Sequence, residues 1–252
     1  MQLYARSAEI ADAIARTGRN PRYLGDIPLP QGIEASTSLE QTLRNVEAIL
    51  IVTPSATIRG VARDVAKYAP DNVPLFVCAK GIEARTGLLM TGIVAEEAPA
   101  RVLGCVSGPT FATETAAQQP TAVTIACTSA SAGPVPPHKL AAARLAATLT
   151  TDSFRPYVSD DLIGVEIGGA VKNVIAIACG AVIGAQLGDS ARAALMTRGY
   201  AEMQRLALAR GANPATLAGL SGFGDLTLTC SSEQSRNFRL GLSLGRGEEF
   251  DP

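Results

Sequence analysis

The sequence has few of the residues that build disulfide frameworks, zinc sites or histidine-based active sites. It contains no tryptophan, one histidine and five widely separated cysteines, with no C-x-x-C pair. This pattern is typical of a reducing compartment and argues against a disulfide framework or a Cys/His zinc site, so we expect no metal. The one histidine, His138, follows two prolines at a predicted helix start and is expected on the surface. A His-based dehydrogenase or hydrolase triad is therefore excluded, and proton transfer falls to lysine.

Strong net charge and long apolar runs are also absent. Lys and Arg total 22 against 23 Asp and Glu, so no broad basic surface attracts nucleic acid or anionic lipid. The longest apolar run, residues 174–185, has 12 residues when glycine is counted, whereas a membrane span needs about 20. The first residues carry no signal-peptide core. We expect a soluble, cytoplasmic protein that binds neither nucleic acid nor membrane.

The glycine-rich phosphate-binding motifs are missing as well. Neither G-x-G-x-x-G nor G-x-x-x-x-G-K-[ST] occurs, and the latter absence argues against a kinase or ATPase. The chain begins with a predicted strand that ends at Arg6, like the second strand of a dinucleotide-binding domain. An arginine at that tip favours the 2′-phosphate of NADP, whereas an acid favours NAD. A solvated surface arginine is the alternative.

Two kinds of hydrophobic pattern divide the chain. Residues 1–158 alternate short strands (2–4, 47–52, 73–78, 100–106, 121–127 and 154–158) with helices (8–17, 55–69, 86–98 and 138–149). This alternation predicts a mostly parallel sheet covered by helices. Residues 48–52 are apolar throughout, which predicts a strand buried on both faces. Residues 159–252 predict only helices (160–185, 189–211, 213–219 and 235–245), the first capped by 159–161.

The most unusual segment places Lys172 and Asn173 in the middle of an apolar helix. Long helical side chains lean toward the preceding turn, so Lys172 is predicted to lie over Gly168 and Gly169 in an open notch. Desolvation there would lower the pKa of the amine toward the working range of an acid or base. The alternative is a lysine that reaches solvent.

Four further segments bear polar residues that could serve a binding site. Asp225 follows a glycine-rich turn, and Ser235, Arg236 and Asn237 precede a helix, where free backbone N–H groups and a guanidinium can hold an anion. Lys80 and the segment 107–110 follow predicted strands, at the edge where open α/β sheets bind ligands. Taken singly, each of these segments also fits a cap, a turn or a solvated surface.

In combination, these segments resemble the bacterial-type NAD(P)-dependent glycerol-3-phosphate dehydrogenase family. The resemblance covers the whole chain, through ordered motifs at 20–24, 79–83, 107–112, 159–166, 168–175, 188–193, 224–230 and 235–237. It implies a Rossmann-like domain, residues 1–158, and an all-helical substrate domain, residues 159–252. The implied reaction is the reversible reduction of dihydroxyacetone phosphate to sn-glycerol 3-phosphate by NADPH or NADH, which supplies glycerophospholipid synthesis. A cytoplasmic homodimer is also implied.

The resemblance also implies roles for individual residues. Lys172 is the general acid/base, and Asp225 keeps it charged and oriented. The implied substrate site comprises Lys80, Gly108, Thr110, Lys172, Asn173, Asp225, Thr229, Ser235, Arg236 and Asn237. The implied cofactor site comprises Arg6, Tyr23, Lys80, Ala112 and Arg236.

The sequence departs from the family pattern at both ends. The family's opening strand and glycine-rich turn would precede Met1, and its terminal helices would follow Pro252. We therefore expect an incomplete Rossmann-like domain and a shortened helical domain, from a fragment or a misplaced start codon. A non-catalytic remnant that binds phosphorylated metabolites is the alternative function. A related hydroxyacid or 6-phosphogluconate-type dehydrogenase is a third, against which Asp225, Arg236 and Asn237 argue.

Overall fold

The computed structural model describes residues 1–127 and 137–248. The proline-rich loop of residues 133–137, apart from its last residue, and the side chain of His138 lie outside what is described. The predicted surface position of His138 therefore stays a prediction.

The strands form two sheets. A two-stranded parallel sheet pairs β1 (Gln2–Tyr4) with β2 (Glu34–Ser36). A five-stranded sheet has the order β3 (Ile49–Ile51), β4 (Leu75–Val77), β5 (Leu103–Ser107), β6 (Thr121–Cys127) and β7 (Phe154–Ser159). Only the β5–β6 pair is antiparallel among the described strands, so the predicted mostly parallel sheet is confirmed.

The helices alternate with the strands in the first part of the chain, as predicted, and the described residues after β7 form helices and turns only. The first set is α1 (Ala8–Thr17), α2 (Pro21–Leu24), α3 (Leu39–Thr42), α4 (Ile58–Tyr68), α5 (Met90–Glu97), α6 (Ala112–Ala116) and α7 (Pro137–Leu149). The second set is α8 (Leu162–Gly184), α9 (Asp189–Ala209), α10 (Pro214–Leu217), α11 (Asp225–Ser231) and α12 (Arg236–Gly245). The Rossmann-like α/β part and the helical part are both confirmed, whereas the boundary at 158/159 stays a prediction.

Strand β3 differs from its prediction. Ile49 and Ile51 are buried against α4 and α5, but Leu50 is 38% exposed and Val52, just beyond the strand, is 71% exposed. The prediction of burial on both faces is therefore wrong. The physical reason is that β3 is an edge strand, paired only with β4, and nothing in the described part of the chain covers its second face.

Helix α8 is the central helix of the second half. It is long and apolar enough to cross a membrane by length and composition, which the run of residues 174–185 did not suggest. Its N-cap is Asp161, whose carboxylate accepts a hydrogen bond from the backbone N–H of Gly164 at 2.9 Å, as the cap prediction requires. More than half of its residues are buried, and it packs on β5, α9, α11 and α12.

Glycines bring α12 into backbone contact with α8. A Cβ atom at Gly180 or Gly184 of α8 would collide with the backbone of α12, and one at Gly241 or Gly245 would collide with the backbone of α8. Small residues on both faces allow the two helix axes to approach closely. This packing brings the N-terminus of α12 beside the middle of α8, where Lys172 and Asn173 lie.

Candidate active site

The carboxylate of Asp225 joins two lysines from different parts of the chain. Lys172 Nζ donates to Oδ1 and Lys80 Nζ donates to Oδ2, each at 2.5 Å. Asp225 is 1% exposed and Lys172 is 7% exposed, whereas the side chain of Lys80 is 22% exposed. The two positive charges compensate the buried carboxylate, and Lys80 is the one that reaches toward solvent.

The local backbone explains why Asp225 is buried here. The glycine-rich segment before it forms a π-helical turn, Leu220–Gly224, and Asp225 is then the first residue of α11. Thr229, one turn further along α11, accepts a hydrogen bond from Lys172 Nζ at 2.8 Å and donates to the backbone oxygen of Asp225. The predicted contact of Thr229 is therefore present, although helix α11 itself was not predicted.

Lysine 172 has an unusual proton affinity. Burial, together with the nearby charge of Lys80, lowers the pKa of its ammonium to about 8, and Asp225 opposes both effects. An amine with that pKa can both donate and accept a proton near neutral pH. The alternative of a lysine that reaches solvent is wrong.

The predicted open notch beneath Lys172 is also wrong. A Cβ atom at Gly168 would lie 2.5 Å from the backbone oxygen of Ser221, and one at Gly169 would lie 3.2 Å from Cγ of Lys80. The glycines therefore allow the π-helical turn and the Lys80 stem to pack directly on α8. Protein atoms, not a ligand, fill the space that they leave.

The second lysine stands at the predicted edge of the sheet. Lys80 follows β4 and Gly108 follows β5, and these strands are parallel neighbours. Lys80 Nζ lies 3.4 Å from the carbonyl oxygen of Gly108, which also accepts from the Thr110 hydroxyl at 3.5 Å. A Cβ atom at Gly108 would lie 2.8 Å from Cα of Val123, so the backbone can pass β6 only as glycine.

Residues at the start of α12 join the same region through Asn173. The side-chain amide of Asn237 donates to Oδ1 of Asn173 at 2.9 Å. Ser235 is the N-cap of α12, is 5% exposed and accepts from the backbone N–H of Phe238. Arg236 is exposed and forms no ion pair with any described residue. The structure thus brings Asn237 to Asn173 and leaves the Arg236 guanidinium available for an anion.

The residues predicted for the cofactor lie apart from the lysines. Arg6 is exposed after β1, and Tyr23 on α2 is 63% exposed. Ala112 is exposed at the start of α6, and helices α2 and α6 lie in contact. These three residues come from separate short elements, two of which, α2 and α6, were not predicted.

Sequence reasoning did not assign Glu166, which is buried in α8 with its carboxylate on Thr91. An acid in an apolar helix was the available signal. It also missed a contact between α6 and the segment before α12, where the side-chain amide of Gln234 donates a hydrogen bond to the carboxylate of Glu114 at 2.8 Å. No group of three or more potential metal ligands occurs in the described ranges.

The chain matches the two models of one protein family. The model for the NAD-dependent glycerol-3-phosphate dehydrogenase N-terminus matches residues 1–133, and that for the C-terminus matches residues 161–252. The chain belongs to this family. A glycerol-3-phosphate dehydrogenase [NAD(P)+] of Ruegeria sp. is 54% identical over 99% of this chain and 75% of its own length. One of Brucella canis is 50% identical over 98% of this chain and 73% of its own length.

A solved structure is similar over the same range. The crystal structure of glycerol-3-phosphate dehydrogenase from Coxiella burnetii has a TM-score of 0.90 and 39% identity, covering 98% of this chain and 73% of that one. The chain thus spans about three quarters of the length of the relatives described here.

The glycerol-3-phosphate dehydrogenase family uses NAD(P)H, and the residues present fit its two ends. An exposed guanidinium without an ion pair among the described residues, Arg6, suits a phosphate on the adenosine, and the exposed ring of Tyr23 suits the base. Lys80 at the mouth of the buried site suits the reacting end. No G-x-G-x-x-G turn occurs in residues 1–252, so no residue here is assigned to the pyrophosphate.

Proposed function

We propose that the protein reduces dihydroxyacetone phosphate to sn-glycerol 3-phosphate reversibly, with Lys172 as the proton donor. The observation that carries this proposal is the shared carboxylate of Asp225, which holds two ammonium groups where an oxyanion would form. When bound, the reduced nicotinamide supplies the hydride that the carbonyl carbon accepts. All other steps fall to residues of this chain.

Lys172 delivers the proton. Below about pH 8 its amine is charged, so it can donate to the C2 oxygen of the ketone as negative charge develops there. In glycerol phosphate oxidation the neutral amine takes the same proton back. Asp225 orients the amine, and Thr229 accepts a second of its N–H bonds. Lys80 adds a positive charge beside the developing alkoxide.

The phosphate group binds at the start of α12. Arg236 supplies a guanidinium with no competing carboxylate among the described residues, and Asn237 is held in place by Asn173. The helix N-terminus adds the attraction of its free N–H groups for an anion. Gly108 and Thr110 line the other side, next to Lys80.

The cofactor lies along Arg6, Tyr23, Lys80, Ala112 and Arg236. A guanidinium at Arg6 would favour the 2′-phosphate of NADPH, and NADH could still bind through the other contacts. We further propose that the protein is a cytoplasmic homodimer, that it binds neither nucleic acid nor membrane, and that its product supplies glycerophospholipid synthesis. The alternative function, a non-catalytic protein that binds phosphorylated metabolites, keeps the residues of α12 but needs no proton donor.

Substitution of Lys172 separates the enzyme from the binding protein. We expect Lys172→Met to lower kcat for dihydroxyacetone phosphate reduction by about a thousandfold while substrate and NADPH still bind. The matched control is Lys67→Met, since Lys67 is on the surface of α4. Turnover that survives in Lys172→Met would remove Lys172 as the proton donor, whereas binding of dihydroxyacetone phosphate without any turnover in the parent protein would favour the non-catalytic alternative.

A further inference from the structure

A buried acid of α8 caps a helix of the α/β part. Glu166 is 9% exposed, and its carboxylate accepts from the backbone N–H of Thr91 at 2.9 Å and from the Thr91 hydroxyl at 2.5 Å. Thr91 is in the first turn of α5 and is 5% exposed. The N-cap residue of α5, Leu89, has no side-chain cap of its own. A carboxylate from another helix therefore satisfies the N-terminus of α5.

This cap comes at a cost that a purely packing role would not require. Burial raises the pKa of the Glu166 carboxyl, and the hydrogen bonds from Thr91 and Met90 oppose that shift. An apolar side chain would fill the same space without desolvating a charge. The carboxylate instead fixes the geometry of this contact through its two hydrogen bonds with Thr91.

The segment that leads into α5 is the one that carries Lys80. It leaves β4 at Val77, passes Lys80 and returns to α5 through a bridge between Ile82 and Leu89. Both ends of the segment are thus anchored, by the sheet at one end and by Glu166 through Thr91 at the other.

The same face of α8 touches Lys80 itself. Gly169, one turn after Glu166, lies against the Lys80 stem, and the glycine allows that contact. A small cavity next to it is lined by Lys80, Gly81, Met90, Ser107 and Glu166, so these groups share one wall. The Ser107 hydroxyl is buried there without a partner among the described residues. Any movement of Glu166 or α5 is therefore transmitted to the Lys80 stem.

We propose that Glu166 is a positioning residue, which through Thr91 fixes the Lys80 segment on α8 and so sets the place of the Lys80 ammonium on Asp225. This inference rests on the proposed function, because it concerns the lysine pair of that reaction. Glu166 acts through Thr91 and not on the substrate itself.

The test is a double-mutant cycle between Thr91 and Lys80. Thr91→Val keeps the shape of the side chain but removes the hydroxyl donor, whereas Thr91→Ser keeps the donor. We expect Thr91→Val to lower kcat/KM for dihydroxyacetone phosphate about tenfold and Thr91→Ser to stay within about twofold of the parent protein. In a Lys80→Met background, Thr91→Val should have no further effect, since the two residues act through one group.

A second readout distinguishes positioning from stability alone. If Lys80 moves away from Asp225, its positive charge no longer lies beside Lys172, and the pKa of Lys172 rises. The pH above which kcat/KM falls should therefore be higher in Thr91→Val. Glu166→Gln, which keeps an acceptor for the Thr91 N–H, serves if Thr91→Val does not fold. Additive losses in the cycle, with an unmoved pH limit, would overturn the positioning role. Full activity of Lys80→Met alone would remove Lys80 from the reaction and with it the positioning role, whereas no reduction of dihydroxyacetone phosphate by the parent protein would overturn the proposed function.

Discussion

Lys80 and Lys172 share a single buried carboxylate, each through its own oxygen of Asp225 at 2.5 Å. Lys80 arrives from the end of a strand and Lys172 from the middle of a helix. Each ammonium therefore feels both the attraction of the carboxylate and the repulsion of the other ammonium. The proton affinity of Lys172 is a property of all three groups.

The first prediction concerns pH. If Lys172 donates the proton as proposed, reduction needs its charged amine, so kcat/KM for dihydroxyacetone phosphate should fall as pH rises through about 8, the pKa of Lys172. Oxidation of glycerol 3-phosphate needs the neutral amine, so its kcat/KM should fall as pH drops through the same value. In Lys80→Met, loss of the neighbouring charge should move both limits upward. The dependence of kcat/KM on pH, measured in both directions, checks this prediction. Unchanged pH limits in Lys80→Met would mean that the charge of Lys80 does not influence the pKa of Lys172.

The second prediction concerns Asp225. Asp225→Asn leaves two ammonium groups close together without their anion, so the free energy of unfolding should fall by about 3–5 kcal/mol. Urea titration measures this loss. The matched control is Asp189→Asn, because Asp189 forms an exposed ion pair with Arg192 and its removal should cost at most about 1 kcal/mol. Equal losses in the two variants would mean that the buried carboxylate is not compensated as described.

The third prediction tests the phosphate site. Arg236→Ala should raise KM for dihydroxyacetone phosphate about ten- to hundredfold, since a charge-assisted hydrogen bond is lost. The effect on dihydroxyacetone, which has no phosphate, should be small. Arg239→Ala, an exposed arginine of the same helix, is the control. A similar change for both substrates would place Arg236 away from the phosphate.

The fourth prediction concerns cofactor choice. Arg6→Ala should raise the dissociation constant of NADPH about tenfold and leave that of NADH nearly unchanged, because only NADPH has a 2′-phosphate. Fluorescence titration of the two cofactors measures the difference. Equal weakening of both would mean that Arg6 does not read this phosphate.

The fifth prediction concerns acid stability. Hydrogen bonds from Arg59, together with Thr86, lower the pKa of Glu83 to about 2. The pKa of Glu83 in the folded protein thus lies below the ordinary value of about 4.3. The ionised carboxylate therefore stabilises the fold fully above about pH 4.3, and this stabilisation is lost as the pH falls toward 2. Glu83→Gln should therefore lower Tm at neutral pH and match the parent protein near pH 2. The control is Glu202→Gln, which removes only exposed ion pairs on α9 and should change Tm little.

The features that could be predicted from the sequence are those set by residues close together in the chain. Alternating patterns located the five strands of the main sheet, and an amine in an apolar helix identified Lys172. Short elements such as β2 and α11 escaped, because three to seven residues carry little periodic signal. The prediction of an open notch at the glycines was wrong for another reason. A sequence shows that Gly168 has no side chain, but not which distant segment packs against it.

The same limit applies to Glu166. Its partner Thr91 is 75 residues away in the chain, so no local pattern could connect them. Exposure on β3 was mispredicted because burial of a strand depends on its place in the sheet, not only on its apolar residues.

Close contact between α8 and α12 has a consequence for how the phosphate site tolerates change. Four hydrogen atoms, at Gly180, Gly184, Gly241 and Gly245, stand where side chains would otherwise hold these helices apart. A single methyl group added at any of them must tilt or lift α12, and with it the guanidinium at the tip of that helix. Substrate affinity can thus be lost through glycines that lie at least one helical turn from the proposed phosphate-binding residues, without alteration of a single polar group.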